Sequence, residues 1–197
     1  MPRLKRHEHD NYPTHKGLVK ELLKHVDVQG KVLDPCTYDK DIINVLRKCN
    51  ENVITFATDL RYSSEEDATK KEFWQPWINN IDWVVCNPPF NQAHLILPQA
   101  LEAASEGVAF LLRSTYSEPC LNRWEFLDRE SDRQRFKIEV SPRPKFRKDT
   151  KNTDSVSVAW FVWLKRFSWR GDLGVLPPFV YSRDWQVKNE DNSKENE

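Results

Sequence analysis

Asn87-Pro88-Pro89-Phe90 gathers an amide side chain, a backbone carbonyl between two prolines and an aromatic ring within four residues. An amide oxygen and a backbone carbonyl can accept the two protons of an exocyclic amine, while a ring stacks on the planar base that carries it. The preceding residues, Trp83-Val84-Val85-Cys86, form a short apolar run that reads as a buried strand. Both prolines fix φ and have no N–H to donate, so a sheet must stop there. The group therefore stands at a strand's carboxyl end, the edge of an open α/β sheet where ligands bind. On these four residues alone, a proline-rich turn after a core strand explains the pattern equally well.

The elements around it strengthen the case for a site. Asp34-Pro35-Cys36 follows an apolar strand at 31–33, and Asp59 closes another at 53–57. Glu72-Phe73 marks a candidate third strand end, which makes 83–86 the fourth strand. In a parallel sheet these ends share one edge, and an acid after the second strand can accept both hydroxyls of a ribose. Asp59 alone is better read as a turn or cap residue; it is the ordered set that points to a site.

Helical spacing of apolar residues at 18, 19, 22, 23 and 26 predicts a helix over 14–26, with Thr14 as its N-cap. Further helices are expected at 39–49, at 93–105 with a kink or late start at Pro98, and at 121–130. Residues 60–72 read as a loop or short helix, and Gly107 as a helix terminator. Strands are expected at 108–112, 136–140 and 156–164, the last two as antiparallel neighbours because no helical crossover separates them. Alternating strands and helices imply an α/β fold: a three-layer, Rossmann-like architecture with a mixed seven-stranded sheet whose last strand is antiparallel. One domain is expected over 1–187, with a disordered polar tail at 188–197.

Thirty basic residues balance thirty acidic ones, so nucleic-acid binding would have to come from local clusters rather than net charge. Arg143, Lys145, Arg147, Lys148 and Lys151 set five positive charges against Asp149, and Pro142 and Pro144 would hold that segment extended. Arg113 follows the 108–112 strand on the same edge, with Ser114-Thr115-Tyr116 after it. Arg129, Arg133, Arg135 and Lys137 are diluted by acids and read as an ordinary solvated surface, and Trp124 and Trp169 as packing residues. None of the four cysteines forms a CxxC pair, so no metal site is expected, and Cys36 and Cys86 read as structural. The first residues lack an apolar leader and no apolar run reaches membrane-spanning length, which leads us to expect a cytoplasmic protein without membrane contact.

Together these motifs resemble the class I S-adenosylmethionine-dependent methyltransferases, specifically the small bacterial and phage enzymes that act on adenine N6 in DNA. The resemblance spans roughly residues 10–165. The catalytic pattern (D/N/S)PP(Y/F) is met by Asn87, Pro88, Pro89 and Phe90. The loop pattern D/E-P-x-x-G-x-G begins at Asp34, Pro35 and Cys36, but Thr37-Tyr38-Asp39 stands in its glycine-bearing part. Tyr38 in place of glycine would crowd the cofactor's methionine moiety or send the loop on another path. The ribose acid corresponds to Asp59, followed by Leu60, and the pair that flanks the cofactor's adenine, usually Asp-Phe, resembles Glu72-Phe73. Tyr12 and Thr14 resemble an upstream Tyr-x-Thr-Pro segment. The resemblance implies S-adenosylmethionine as cofactor, held by these residues and Asn87, and DNA as partner, its target base flipped out of the helix. The same motif occurs in enzymes acting on RNA adenine N6 or guanine N2, and the altered loop also admits a non-catalytic nucleic-acid-binding relic of the fold.

Overall fold

The computed structural model describes residues 13–118, 120, 123–144, 156–165 and 179–182. In chain order the elements are α1 (Lys16–His25), β1 (Gly30–Asp34), α2 (Asp41–Cys49), β2 (Val53–Ala57), α3 (Lys71–Trp74), β3 (Ile81–Cys86), α4 (Ala93–Ala103), β4 (Ala104–Arg113), α5 (Trp124–Glu130), β5 (Gln134–Val140), β6 (Val158–Leu164) and β7 (Phe179–Ser182), with 3₁₀ turns at 64–66, 114–117 and 131–133. The strands form one sheet in the order β2-β1-β3-β4-β6-β5-β7. β1 pairs in parallel with β2 and β3, and β3 with β4. β6 runs antiparallel to both β4 and β5, and β7 pairs in parallel with the outer side of β5.

Six of these strands fall on segments whose apolar patterns predict them. The seventh differs. Glu72-Phe73 is not a strand end but part of the short helix α3. Phe73 and Trp74 are buried and Trp77 and Ile78 pack against the same cluster, an i, i+1, i+4, i+5 spacing that belongs to a helix and not to a strand. β3 is therefore the third strand, and the seventh is β7, parallel to its neighbour; the antiparallel strand is β6.

Alternate residues of the central strands feed two cores. Val32, Trp83, Val85, Ala109, Leu111, Trp160 and Val162 face α1 and α2, whereas Leu33, Val84, Cys86, Val108, Phe110 and Phe161 face α3 and α4. Burial on both faces is what a sheet covered by helices requires. The Trp160 indole N–H donates to the Leu18 carbonyl at 2.8 Å, tying β6 to α1. α4 runs through Pro98, and β4 starts directly after it, so Gly107 lies within a strand rather than ending a helix. An added Cβ on Gly107 would sit 2.6 Å from the Trp83 ring of the adjacent strand. Close approach of an indole, not a turn, is the reason for glycine there. Among the described residues no helix is long and apolar enough to cross a membrane.

Candidate active site

β1 and β3 are neighbours, yet the chain leaves them for opposite sides of the sheet, to β2 and to β4. That divergence opens a crevice at their carboxyl ends, and Asp34 and Asn87 stand on its two walls. Asn87 is half-buried and its Nδ2 donates to Thr14 Oγ1 at 3.1 Å, which turns the amide nitrogen toward α1. Thr14 is thus not the N-cap of α1; that place belongs to His15, whose Nδ1 accepts from Gly17 N–H. The Pro89 carbonyl accepts from Gln92 and Ala93 N–H at 2.9 and 3.0 Å and starts α4, so the Pro88 carbonyl lies outside that ladder. The Arg113 guanidinium lies 5.3 Å from the centre of the Phe90 ring.

Asp34 is buried and accepts from Cys36 N–H at 3.3 Å. Burial pushes its carboxyl up to about 7, against the pull of that hydrogen bond, and the charge of Asp59 pushes the same way as burial. Asp59 is also buried, but its carboxylate is engaged by Arg61. Oδ1 accepts from the Arg61 N–H at 2.9 Å and from Nε at 2.7 Å, and Oδ2 accepts from Nη2 at 3.1 Å. A carboxylate offers about four acceptor positions, so Arg61 leaves one.

The same Nη2 donates to the Thr37 and Tyr38 carbonyls at 3.0 and 2.9 Å, and the guanidinium stacks 4.3 Å above the Tyr38 ring. Arg61 therefore clasps the loop after β1 to the loop after β2. Lys40, where the glycine pattern counted from Asp34 puts its last glycine, adopts a left-handed φ of 57°. The backbone keeps a conformation that suits glycine without the glycine.

Three cavities surround this crevice. One of about 330 Å³ is bordered by Pro35, Cys36, Asp59, Leu60, Asp67 and Pro89. A second of about 270 Å³ is bordered by Phe90, Leu112, Arg113 and Tyr116. Asn91 borders both, so the Asn-Pro-Pro-Phe turn forms the ridge between them. The third, among Thr14, Asp34, Thr37, Tyr38, Asp39 and Asn87, is closed down to about 10 Å³.

Among the sequence-predicted residues, Thr14, Asp34, Pro35, Cys36, Asp59, Leu60 and Asn87 to Phe90 converge here. Glu72 does not; it is exposed on α3 and borders none of these cavities, and Phe73 is buried in the core beneath them. Asp67, with Glu66 beside it, joins Asp59 on the border of the larger cavity instead. Burial raises the Asp67 carboxyl, but hydrogen bonds from the Thr69 hydroxyl and N–H and the Lys70 ammonium prevail and hold it below the usual range. Sequence reasoning missed Asp67 and Arg61. Asp67 carried a signal, since an Asp two residues before Thr favours a side-chain-capped turn.

Arg113 reaches the second cavity, and Arg143 is exposed just after β5. Tyr12, Lys145, Arg147, Lys148 and Lys151, with the 188–197 tail and Trp169, lie outside the described residues. Arg129 and Arg133 both pair with Glu130, which is buried rather than solvated. Trp124, read as a packing residue, is instead 49% exposed at the start of α5. Cys86 is buried, and burial pushes its thiol up, so it stays protonated and inert.

No protein-family model matches the sequence, and no curated protein does. Solved structures are similar in fold. A protein described as a modification subunit of a type I restriction enzyme from Vibrio vulnificus aligns with 80% of this chain and 45% of its own, at 11% identity and a TM-score of 0.54. A methyltransferase subunit of a type I restriction-modification system from Streptococcus thermophilus aligns with 79% and 45%, at 14% identity and 0.56. A protein described as a class I S-adenosylmethionine-dependent methyltransferase from Listeria monocytogenes aligns with 86% and 63%, at 10% identity and 0.50. The chain thus spans less than half the length of the first two and under two thirds of the third. At these identities the likeness defines the fold, which is the Rossmann-like methyltransferase fold.

Proposed function

We propose that this chain transfers a methyl group from S-adenosylmethionine to the exocyclic N6 amine of adenine in DNA, with the base flipped out of the duplex. The observation that carries this is the Asn87–Phe90 ridge, which separates two cavities at the switch point of the sheet. A donor and an acceptor can then approach one turn of chain from opposite sides.

The residues present suit the nucleoside end of the cofactor. The larger cavity offers about 330 Å³ between the carboxylates of Asp59 and Asp67, the one for ribose hydroxyls and the other for an adenine amine. The space beside Asp34 and Asn87 is only about 10 Å³, so the methionine end enters only when part of its lining, which includes Tyr38 and Asp39, moves. When bound, the cofactor supplies an electrophilic methyl on a sulfonium. The rest falls to the chain. The Asn87 amide oxygen and the Pro88 carbonyl accept the two N6 protons and draw the nitrogen out of conjugation with its ring. This is orientation and electrostatic stabilisation, with no covalent intermediate on the protein. Phe90 and the guanidinium laid against it form the wall that a flipped base meets. DNA is favoured because two of the solved structures named above belong to restriction-modification systems; Arg113 and Arg143 are the described cations proposed for phosphate or base contacts, and Lys145, Arg147, Lys148 and Lys151 extend that set.

The test is transfer of tritiated methyl to duplex DNA, single-stranded DNA, RNA and protein, followed by digestion to nucleosides. The expected product is N6-methyladenine in DNA. Asn87→Ala should lower transfer by about 100-fold or more, the scale of losing one transition-state hydrogen bond. Absence of label in DNA would sink the proposal.

A further inference from the structure

The cavity beside Phe90 contains two polar groups that the fold itself leaves unused. Tyr116 is 94% buried, being 6% exposed, yet its hydroxyl has no hydrogen-bond partner among the described residues. The buried Nε of Arg113 has none either. Both residues border the cavity. Buried polar groups nearly always find partners, so two orphans at one cavity point to a ligand that supplies them.

Their positions are fixed in advance. The Tyr116 ring packs edge-on against Phe161, with centroids 5.9 Å apart, and the Arg123 guanidinium covers it at 4.9 Å. Arg123 in turn donates to the Thr115 and Glu118 carbonyls at 3.2 and 3.0 Å, locking the 114–117 turn. Arg113 is held over Phe90 at the end of β4. The arginine of the pair is one-sided, whereas a phenol can donate or accept. An arginine Nε–H can only donate. Burial pushes the Tyr116 hydroxyl up to about 12, so it keeps its proton and can donate throughout the physiological range.

Bases differ in what flanks their exocyclic amine. The N6 of adenine lies between N1 and N7, both acceptors. The N4 of cytosine has one acceptor neighbour, N3, and a C–H. The N2 of guanine lies between the N3 acceptor and an N1–H donor, which opposes an arginine Nε–H and can be met only by a hydroxyl turned to accept. We propose that Arg113 Nε–H and the Tyr116 hydroxyl donate to the two ring nitrogens flanking an adenine amine, so that this cavity selects adenine over guanine and cytosine. The proposal rests on the methyl-transfer reading for the identity of the amine, but its test does not use methyl transfer.

Saturation-transfer NMR would follow 9-methyladenine, its 1-deaza and 7-deaza analogues, 9-methylguanine and 1-methylcytosine binding to the protein, with S-adenosylhomocysteine in excess to compete at the other cavity. Adenine should bind best, and each deaza analogue about five- to tenfold more weakly, as loss of one hydrogen bond predicts. Tyr116→Phe keeps the ring, and Arg113→Lys keeps the charge while removing the buried Nε–H. Each should abolish the penalty for one deaza analogue and leave the other, a pattern that general damage to the fold does not produce. Guanine binding as well as adenine, deaza analogues binding like adenine, or no saturable base binding at millimolar concentration would each overturn the proposal. Adenine-selective binding without methyl transfer to DNA would leave it standing while removing the proposed activity; transfer to adenine in DNA with no adenine preference in base binding would do the reverse.

Discussion

Lys40 shows how a single residue can depart from a motif while keeping its geometry. Its left-handed φ costs a non-glycine residue about 1–2 kcal/mol, and its ammonium, 5.9 Å from the Tyr62 ring, recovers at most about 1 kcal/mol at an exposed position. Lys40→Gly should therefore raise stability by roughly 0.5–1 kcal/mol once glycine's greater freedom in the unfolded chain is counted. A urea midpoint that stays put or falls would mean the loop is held by something other than its backbone shape. At this scale the sequence disclosed much of the site. Asp34, Asp59 and Asn87 to Phe90 converge as their strand-end positions imply. What it concealed were partners set by three-dimensional contact: Arg61 on Asp59, Thr14 on Asn87, and Asp67 rather than Glu72 beside the larger cavity.

Elements were legible where their apolar period was unambiguous. The central strands bury both faces and read as continuous apolar runs, whereas Phe73-Trp74 could be assigned only by including Trp77 and Ile78 in the pattern. β7 is four residues long, and its pairing with the outer side of β5 is non-local, so nothing nearby in the chain announces it. Gly107 misled because glycine after a helical stretch usually ends it, while here glycine makes room for an indole. A Cβ at that position would lie 2.6 and 2.7 Å from Trp83 ring atoms and 2.9 Å from the Trp163 carbonyl, so it presses on backbone as well as side chain. Gly107→Ala should destabilise the protein by about 2–3 kcal/mol, as overpacked cores do, read as an earlier urea transition of unchanged slope. A loss below about 0.5 kcal/mol would show that β3 and β4 can part enough to admit the methyl group.

Across the whole molecule the charges cancel, 30 against 30, so the response of stability to pH is governed by individual buried groups. Asp34 is the clearest, with its carboxyl raised to about 7 in the fold. In the unfolded chain it ionises near its ordinary value of about 4. Between those two values the folded state holds a proton that the unfolded state has lost, so stability falls as pH rises through the window, and above it the loss is complete. Three pKa units at about 1.4 kcal/mol each set a ceiling of roughly 4 kcal/mol. Asp34→Asn should remove this slope, so that the variant's advantage over wild type grows from about pH 4 to about pH 7 in urea unfolding. A constant difference across that range would show that Asp34 ionises normally. The Arg61 clasp has a kinetic consequence for the same molecule. A ligand that needs both oxygens of Asp59 must wait for Arg61 to withdraw, and only the fraction of molecules already open can accept it. Its observed rate of association would then level off at high concentration, at the frequency with which a single arginine side chain releases its hold.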